Sequence, residues 1–285
     1  MTTFSHPFYR TKAVLLAGGC GTRAKPFTDY FPKAMFPLDG RPIIDHIVRF
    51  LASFSSISEI IIVCDFDRFG KQIINYFEGK DSLVGKSIKF VEDKKKGTGG
   101  SLLGVERHIG QDEYFMAWFA DNLSGLRVDD MIHQYNLISS KNGEAVIGMI
   151  AIRKKRREET GRVILENSQV NGASRSRSRS SSNNVIRIKE FMEKHTSRLD
   201  QPEALGIYIF GKRIFEYLHN RSNEGYNSFN LSYDILKKIP SNTSLFAYDI
   251  GDDIEWLDAQ SLAYLDRNRD ITEKVLSQMH SVRGN

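Results

Sequence analysis

Cysteine is nearly missing from this chain, which carries only Cys20 and Cys64 in 285 residues. Two thiols are too few for a cysteine metal cluster or a disulfide framework, and they fit a reducing compartment. Long apolar runs are missing as well. No stretch reaches the roughly 20 residues a membrane-spanning helix needs. Residues 1–11, MTTFSHPFYRT, hold no continuous apolar segment of the kind a secretory leader uses, so a cytoplasmic protein without a membrane partner is expected. Charge of either sign is not in large excess: 40 basic residues face 35 acidic ones, for a net +5. Part of that surplus is one local run, Arg175, Arg177 and Arg179, so nucleic acid is not the expected partner. An acidic small substrate explains a basic site equally well.

Two familiar phosphate loops are absent too. No Gly-Lys-Ser/Thr ending completes a Walker pattern, and no G-x-G-x-x-G completes a dinucleotide one. What is there instead is the stretch 12–42, KAVLLAGGCGTRAKPFTDYFPKAMFPLDGRP. Val14, Leu15 and Leu16 are apolar on both faces, as a buried parallel strand must be. Gly18, Gly19 and Gly21 follow, removing side chains where the backbone turns and approaches something closely. Successive bare N–H groups can form an anion nest. Arg23 offers a planar fork for phosphate oxygens, and Lys25 and Lys33 add point charges. A plain glycine turn is the competing reading of the same residues.

Beyond this loop the apolar spacing alternates between strand and helix. Ile43, Ile44, Ile47, Val48 and Leu51 recur at helical spacing after Pro42, and residues 58–63 read as a second buried strand. Phe69, Ile73, Ile74 and Phe77 mark a helix, 88–91 a third strand and 114–120 the most apolar, central one. Val128–Ile138 reads as a helix and 145–152 as a further strand. This order predicts an α/β fold with a mostly parallel sheet and right-handed crossovers. Asp121, at the carboxyl end of the apolar strand, is a natural Mg²⁺ ligand beside substrate phosphates, with an ordinary turn aspartate as the alternative.

In the second half, 161–166 and 185–191 read as paired strands. Between them lies the low-complexity insertion 174–184, rich in Arg and Ser, with nothing to bury. The basic run 153–157 reads as a surface turn. Residues 205–210 give another strand, Leu231, Ile235 and Leu236 a helix before Pro240, 245–248 a short strand, and 262–278 a helical tail.

The stretch LAGGCGTRAKPFTDYFPK resembles the signature of the sugar-1-phosphate nucleotidyltransferases, or nucleotide-sugar pyrophosphorylases, in a short form without a C-terminal β-helix. The resemblance implies a Rossmann-like three-layer sandwich with a sugar-binding α+β subregion in one domain. Residues 12–140 would be the nucleotide part, 141–265 the sugar-phosphate part and 266–285 a helical and polar tail. It further implies that Leu16, Ala17, Gly18, Gly19, Gly21, Thr22 and Arg23 wrap the nucleotide, with Arg23 on the pyrophosphate leaving group and Lys33 on the phosphates. Glu92 with Gly97 and Thr98 would read the base. A carboxylate accepts from a ring N–H, which tilts the choice slightly toward GTP, with UTP and dTTP close behind.

Ala120-Asp121-Asn122 is similar to the family's Gly-Asp-Asn, and Trp256-Leu257-Asp258 to its W-x-D. Asp121 and Asp258 would therefore hold Mg²⁺, although the Gly-Thr that usually follows the second aspartate is missing. Asn122, Gly161, Glu193, Lys194 and Gly206 match sugar-phosphate positions, with Lys194 on the incoming phosphate. The implied reaction is NTP plus a hexose or heptose 1-phosphate giving NDP-sugar and pyrophosphate. A homo-oligomer is compatible with all of this. A catalytically inactive nucleotide-sugar-binding or regulatory protein on the same fold is the alternative, as is RNA binding through the Arg-Ser run.

Overall fold

The central strands form where β-branched, aliphatic and aromatic residues run together, as in Val14–Leu16, Ile60–Val63 and Tyr114–Phe119. A computed structural model describes residues 9–19, 21–67, 69–80, 85–142, 146–154, 161–166, 184–192, 201–239 and 244–281. In chain order it holds β1 (Thr11–Leu16), a short hairpin of β2 (Pro37–Leu38) and β3 (Arg41–Pro42), α1 (Ile43–Ala52), β4 (Ile57–Cys64) and α2 (Gly70–Phe77). Next come β5 (Ser87–Glu92), α3 (Gly97–Leu103), α4 (Glu106–Ile109), β6 (Tyr114–Phe119), β7 (Asn122–Ser124) and α5 (Val128–Asn142). Then follow β8 (Val146–Arg153), β9 (Arg162–Leu165), β10 (Val185–Met192), β11 (Glu203–Gly211) and α6 (Ile214–Asn223). The chain closes with β12 (Ser244–Asp249), β13 (Trp256–Asp258), α7 (Leu262–Arg267) and α8 (Arg269–Ser281).

One large sheet has the order β5-β4-β1-β6-β11-β8-β12-β10-β9. The pairs β5–β4, β4–β1, β1–β6 and β8–β12 are parallel. β11 is antiparallel to both β6 and β8, and β10 is antiparallel to both β12 and β9. Every strand except β10 and β11 therefore runs in one direction, the mostly parallel sheet expected. The sheet also runs unbroken from the strands of residues 12–140 into those of 141–265.

Alternation along β1 splits the interior into two cores. Ala13 and Leu15 join a cluster with α1, α5 and α8 on one face, while Val14 and Leu16 join another with α3 and α6 on the opposite face. Helix, sheet, helix is the three-layer arrangement, and it covers both faces as a parallel block requires.

Three local expectations change. The stretch Gly97–Gly100, expected to supply the base-reading Gly97 and Thr98, is the first turn of α3. Lys95 and Gly97 have φ of 58° and 74°, so the reversal happens earlier. Gly99 N–H then donates to the Phe229 carbonyl at 3.0 Å, and Phe229 N–H to that of Lys96 at 2.9 Å. The helix expected around Leu231 is instead a π turn, Leu231–Ile235, followed by a 3₁₀ turn, Leu236–Lys238. Arg153, expected in a surface turn, is the last residue of β8 and 1% exposed, with Glu255 at 3.5 Å. The Arg-Ser run 174–182 and most of the basic run 153–157 lie outside the described residues.

Candidate functional site

After β1 the chain adds β4 and β5 on one side and β6 on the other, so a crevice opens outside the carboxyl ends of β1 and β6. Open α/β sheets bind ligands at such a switch point. Ala17 N–H donates to the Val63 carbonyl at 2.8 Å and Ala120 N–H to that of Leu16 at 3.1 Å. The glycine loop is thus stitched to both neighbouring strands where it leaves the sheet.

Gly18 has to be glycine for packing, because a Cβ there would sit 1.6 Å from Asp93 Oδ2. Gly21, at φ 58°, opens the 3₁₀ turn Thr22–Ala24 and aims Arg23 out of the loop. The Arg23 side chain is 60% exposed, and its Nη2 lies 3.9 Å from Asp258 Oδ2. Lys33 opens a second 3₁₀ turn, Lys33–Met35. Phe36 anchors that turn in the core, with the edge of its ring packed against Phe31 at 5.5 Å. Ala17, Gly19, Gly21, Thr22, Arg23 and Lys33 line one small cleft of about 190 Å³, together with Leu16, Asp121 and Gln260.

The two aspartates come together through a small ladder. β13 pairs antiparallel with β7, opposing Asp258 to Asn122, and Ala259 N–H donates to the Asp121 carbonyl at 2.8 Å. Lys33 Nζ then donates to Asp121 Oδ2 at 2.7 Å and to Asp258 Oδ1 at 3.3 Å. Burial alone would depress the Lys33 ammonium, but the charges and hydrogen bonds of Asp121 and Asp258 outweigh it and raise its pKa above the ordinary value. Burial, and then the Asp121 carboxylate, raises the Asp258 pKa against the opposing pull of Lys33 and Arg23. Ala120 is not among the residues with positive φ, so the alanine in place of the family's glycine is accommodated without backbone strain.

Among the described residues no group of three or more His, Cys, Asp or Glu side chains gathers. Asp121 and Asp258 nevertheless suit Mg²⁺, which takes one or two carboxylates and fills its remaining positions with substrate oxygens and water. Both carboxylates reach one ammonium, so they are close enough to share one hard cation. Cys64 takes no part as a nucleophile: burial, Asp65 and Asp93 push its thiol up to about 12.

A second cleft of about 490 Å³ shares Arg23 and Asp121 with the first. Its walls include Thr98, Asn122, Gly161, Gly206 and Asp258. Gly206 sits at φ 69° in a bulge of β11 against β8, and a Cβ there would meet Asn122 Nδ2 at 2.5 Å. Gly161 is tied in by the Ala204 N–H, which donates to its carbonyl at 2.7 Å. Phe191, near the end of β10, lines the same cleft. Glu193 and Lys194 follow it in sequence and lie outside the described residues.

The remaining expected residues are placed as follows. Glu92 is the exposed last residue of β5, and Gly97 lies under the Phe229 backbone; neither lines the two clefts. The buried acid beside the glycine loop is Asp93, which accepts from Ser101 Oγ at 3.0 Å and from Lys95 N–H at 2.9 Å. Sequence reasoning passed over Asp93, and its adjacency to Glu92 was the only hint. It also missed Asn230, Ser232 and Tyr233 on the wall of the second cleft. Both tryptophans were missed as supports. Trp118 Nε1 donates to the Asn122 carbonyl at 2.7 Å, and Trp256 Nε1 to that of Leu205 at 3.0 Å.

The sequence profile of the nucleotidyl transferase family matches residues 12–274. The bifunctional protein GlmU of Methanococcus vannielii is 27% identical over 239 residues, which are 84% of this chain and 50% of that protein. The chain thus spans half the length of that relative. A UTP--glucose-1-phosphate uridylyltransferase of Staphylococcus haemolyticus is 27% identical over 263 residues, 85% of each chain. A crystal structure of UDP-glucose pyrophosphorylase complexed with UDP-glucose superposes with a TM-score of 0.66 over 95% of this chain and 98% of that one, at 21% identity. With its glycine loop, paired aspartates and divided cleft, the chain belongs to the nucleotidyl transferase family.

Proposed function

We propose that the protein transfers a nucleotidyl group from an NTP to a sugar 1-phosphate, releasing pyrophosphate. The observation that carries this reading is the meeting of two clefts at Arg23 and Asp121. One is built from bare backbone and cations, as a triphosphate requires. The other is built from a glycine bulge, amide groups and aromatic rings, as a sugar requires.

The sugar-phosphate oxygen is already an anion and attacks the α-phosphorus in line, so no side-chain nucleophile is needed. Rate comes from positioning and charge neutralisation. Arg23 faces the departing pyrophosphate and Lys33 the triphosphate. Lys194 is assigned to the incoming phosphate and Glu193 to the sugar hydroxyls. Asp121 and Asp258 would hold Mg²⁺, which supplies neutralisation of the charge shared by the two phosphate groups. For the base we keep Glu92 with Gly97 and Thr98; Thr98 lines the second cleft, and a base that reaches Glu92 extends beyond both clefts. A carboxylate there selects a base with a ring N–H, which guanine, uracil and thymine have and adenine and cytosine lack. GTP is placed slightly first, with dTTP and UTP, the nucleotide named for the Staphylococcus relative, close behind. The acceptor is a hexose or heptose 1-phosphate.

The test is pyrophosphate release for each NTP against glucose, mannose, heptose and amino-sugar 1-phosphates, with and without Mg²⁺. At least one pair should turn over only with Mg²⁺, and Arg23→Ala should lower kcat by about a hundredfold. No release with any pair would overturn the activity.

A further inference from the structure

The feature that the proposed chemistry leaves unused is the seating of Lys33. Its ammonium is not aimed at open solvent, where an incoming triphosphate would find it. It stands between the two carboxylates, 2.7 Å from Asp121 and 3.3 Å from Asp258, in a side chain only 10% exposed. Lys33 is held there from behind. Its turn is fixed by the Phe36 N–H, which donates to the Lys33 carbonyl at 3.0 Å, and Ala34 and Phe36 are buried. The carboxylates are held just as firmly, by the β7–β13 ladder and by Trp118. Arg23 is no equivalent partner, being 3.9 Å from Asp258 on a side chain 60% exposed.

Two anions that already share one buried cation offer little to a second. Mg²⁺ and Mn²⁺ also keep most of their coordination for water and phosphate oxygens, and they gain only two protein oxygens here. A triphosphate in the first cleft changes both sides of this balance. It gives the ammonium a richer anion, and it brings the oxygens that complete a cation's shell.

We propose that Lys33 controls access to the divalent-cation site. In the nucleotide-free protein its ammonium holds Asp121 and Asp258, and the cation gains the pair only when the nucleotide's phosphates draw that ammonium away. The inference rests on the functional reading above for the identity of the nucleotide. The competition itself rests only on the three side chains.

The experiment titrates MnCl₂ into the full-length, nucleotide-free protein and follows free Mn²⁺ by electron paramagnetic resonance. Wild type should bind Mn²⁺ weakly, with Kd no tighter than about a millimolar. Lys33→Met, which keeps the length of the chain and drops its charge, should bind at least about tenfold more tightly. Lys33→Arg, which keeps the charge, should stay at the wild-type value. The double variant Lys33→Met, Asp121→Asn should lose the gain. Lys33→Gln serves the same comparison if the methionine variant does not fold.

Equal Mn²⁺ affinity in wild type and the uncharged variants overturns the proposal, and so does tight binding by wild type. The two readings fail separately. An active wild-type enzyme with no gain in Lys33→Met sinks the inference alone. A gain in Lys33→Met with no pyrophosphate release from wild type sinks the activity and leaves the competition standing.

Discussion

Gly206 lets β11 approach the β7–β13 ladder, because the space a methyl group would take is filled by the amide of Asn122. Its φ of 69° adds a second demand that an L side chain meets only with strain. Gly206→Ala should therefore push Asn122 aside without touching the glycine loop. We expect KM for the sugar 1-phosphate to rise about tenfold while KM for the NTP stays within about twofold, a loss of roughly 1–2 kcal/mol in one half of the site. Steady-state kinetics with each substrate varied in turn checks it, and an equal change in both constants would show that the glycine serves the whole fold rather than the sugar side. Gly206 was legible through the resemblance to the family's sugar-side positions. Asp93 was not legible, since a second acid beside Glu92 carries no pattern. Only the fold reveals that one turns outward and the other packs under Gly18. Lys33 was legible as a cation near phosphate, but its partners are 88 and 225 residues away in sequence, beyond any local spacing.

At the scale of the element, the π turn at Leu231–Ile235 is the part that helical spacing could not foresee. Leu231, Ile235 and Leu236 are all buried, which suits an ordinary helix on paper. The wider turn instead carries Ser232 and Tyr233 to the second cleft. Single π turns recur at functional sites for this reason. Thr98, in the first turn of α3, ties the π turn down, its Oγ1 accepting the Leu231 N–H at 2.9 Å. Thr98→Val keeps the shape and removes the acceptor, at a cost of about 1 kcal/mol. Hydrogen exchange in peptides spanning 228–236 should then quicken about fivefold while the β1 and β6 peptides stay unchanged. Unchanged exchange across 228–236 would mean that the turn is held by its apolar contacts alone. The strands of the parallel block were the most legible elements, because apolar residues on both faces leave little choice of structure. α3 was the least, since its first turn is written in glycines and is set by pairing with Phe229.

Across the whole molecule, the sheet has to join a parallel half to a mixed half, and a buried charge group sits at the far edge of that joint. Glu203 is fully buried and opposes Arg153 in β8 and Arg162 in β9, which are themselves 1% and 2% exposed. Removing one partner from a buried ionic group costs far more than the group contributes, because the remaining charges stay desolvated. Glu203→Ala should lose about 3–5 kcal/mol of stability, read as a lower midpoint in urea with the slope preserved. A loss under about 1 kcal/mol would show that the guanidiniums are satisfied without it. The layered α/β architecture followed from the order of the apolar runs. The pairing of β10 with β9 was legible as two neighbouring strands, but the antiparallel insertion of β11 between β6 and β8 was not, because partners so distant in sequence leave no mark on the strand.

The tryptophans carry one more consequence. The chain has two, and both indole N–H groups end on carbonyls of the segments that hold the clefts, Asn122 for one and Leu205 for the other. Neither ring reaches the surface. Ultraviolet emission excited near the red edge thus comes from two buried indoles, of which Trp256 lines the second cleft and Trp118 packs behind Asn122. Filling that cleft should therefore shift the colour and intensity of the emission without a label, as titration of a ligand would read.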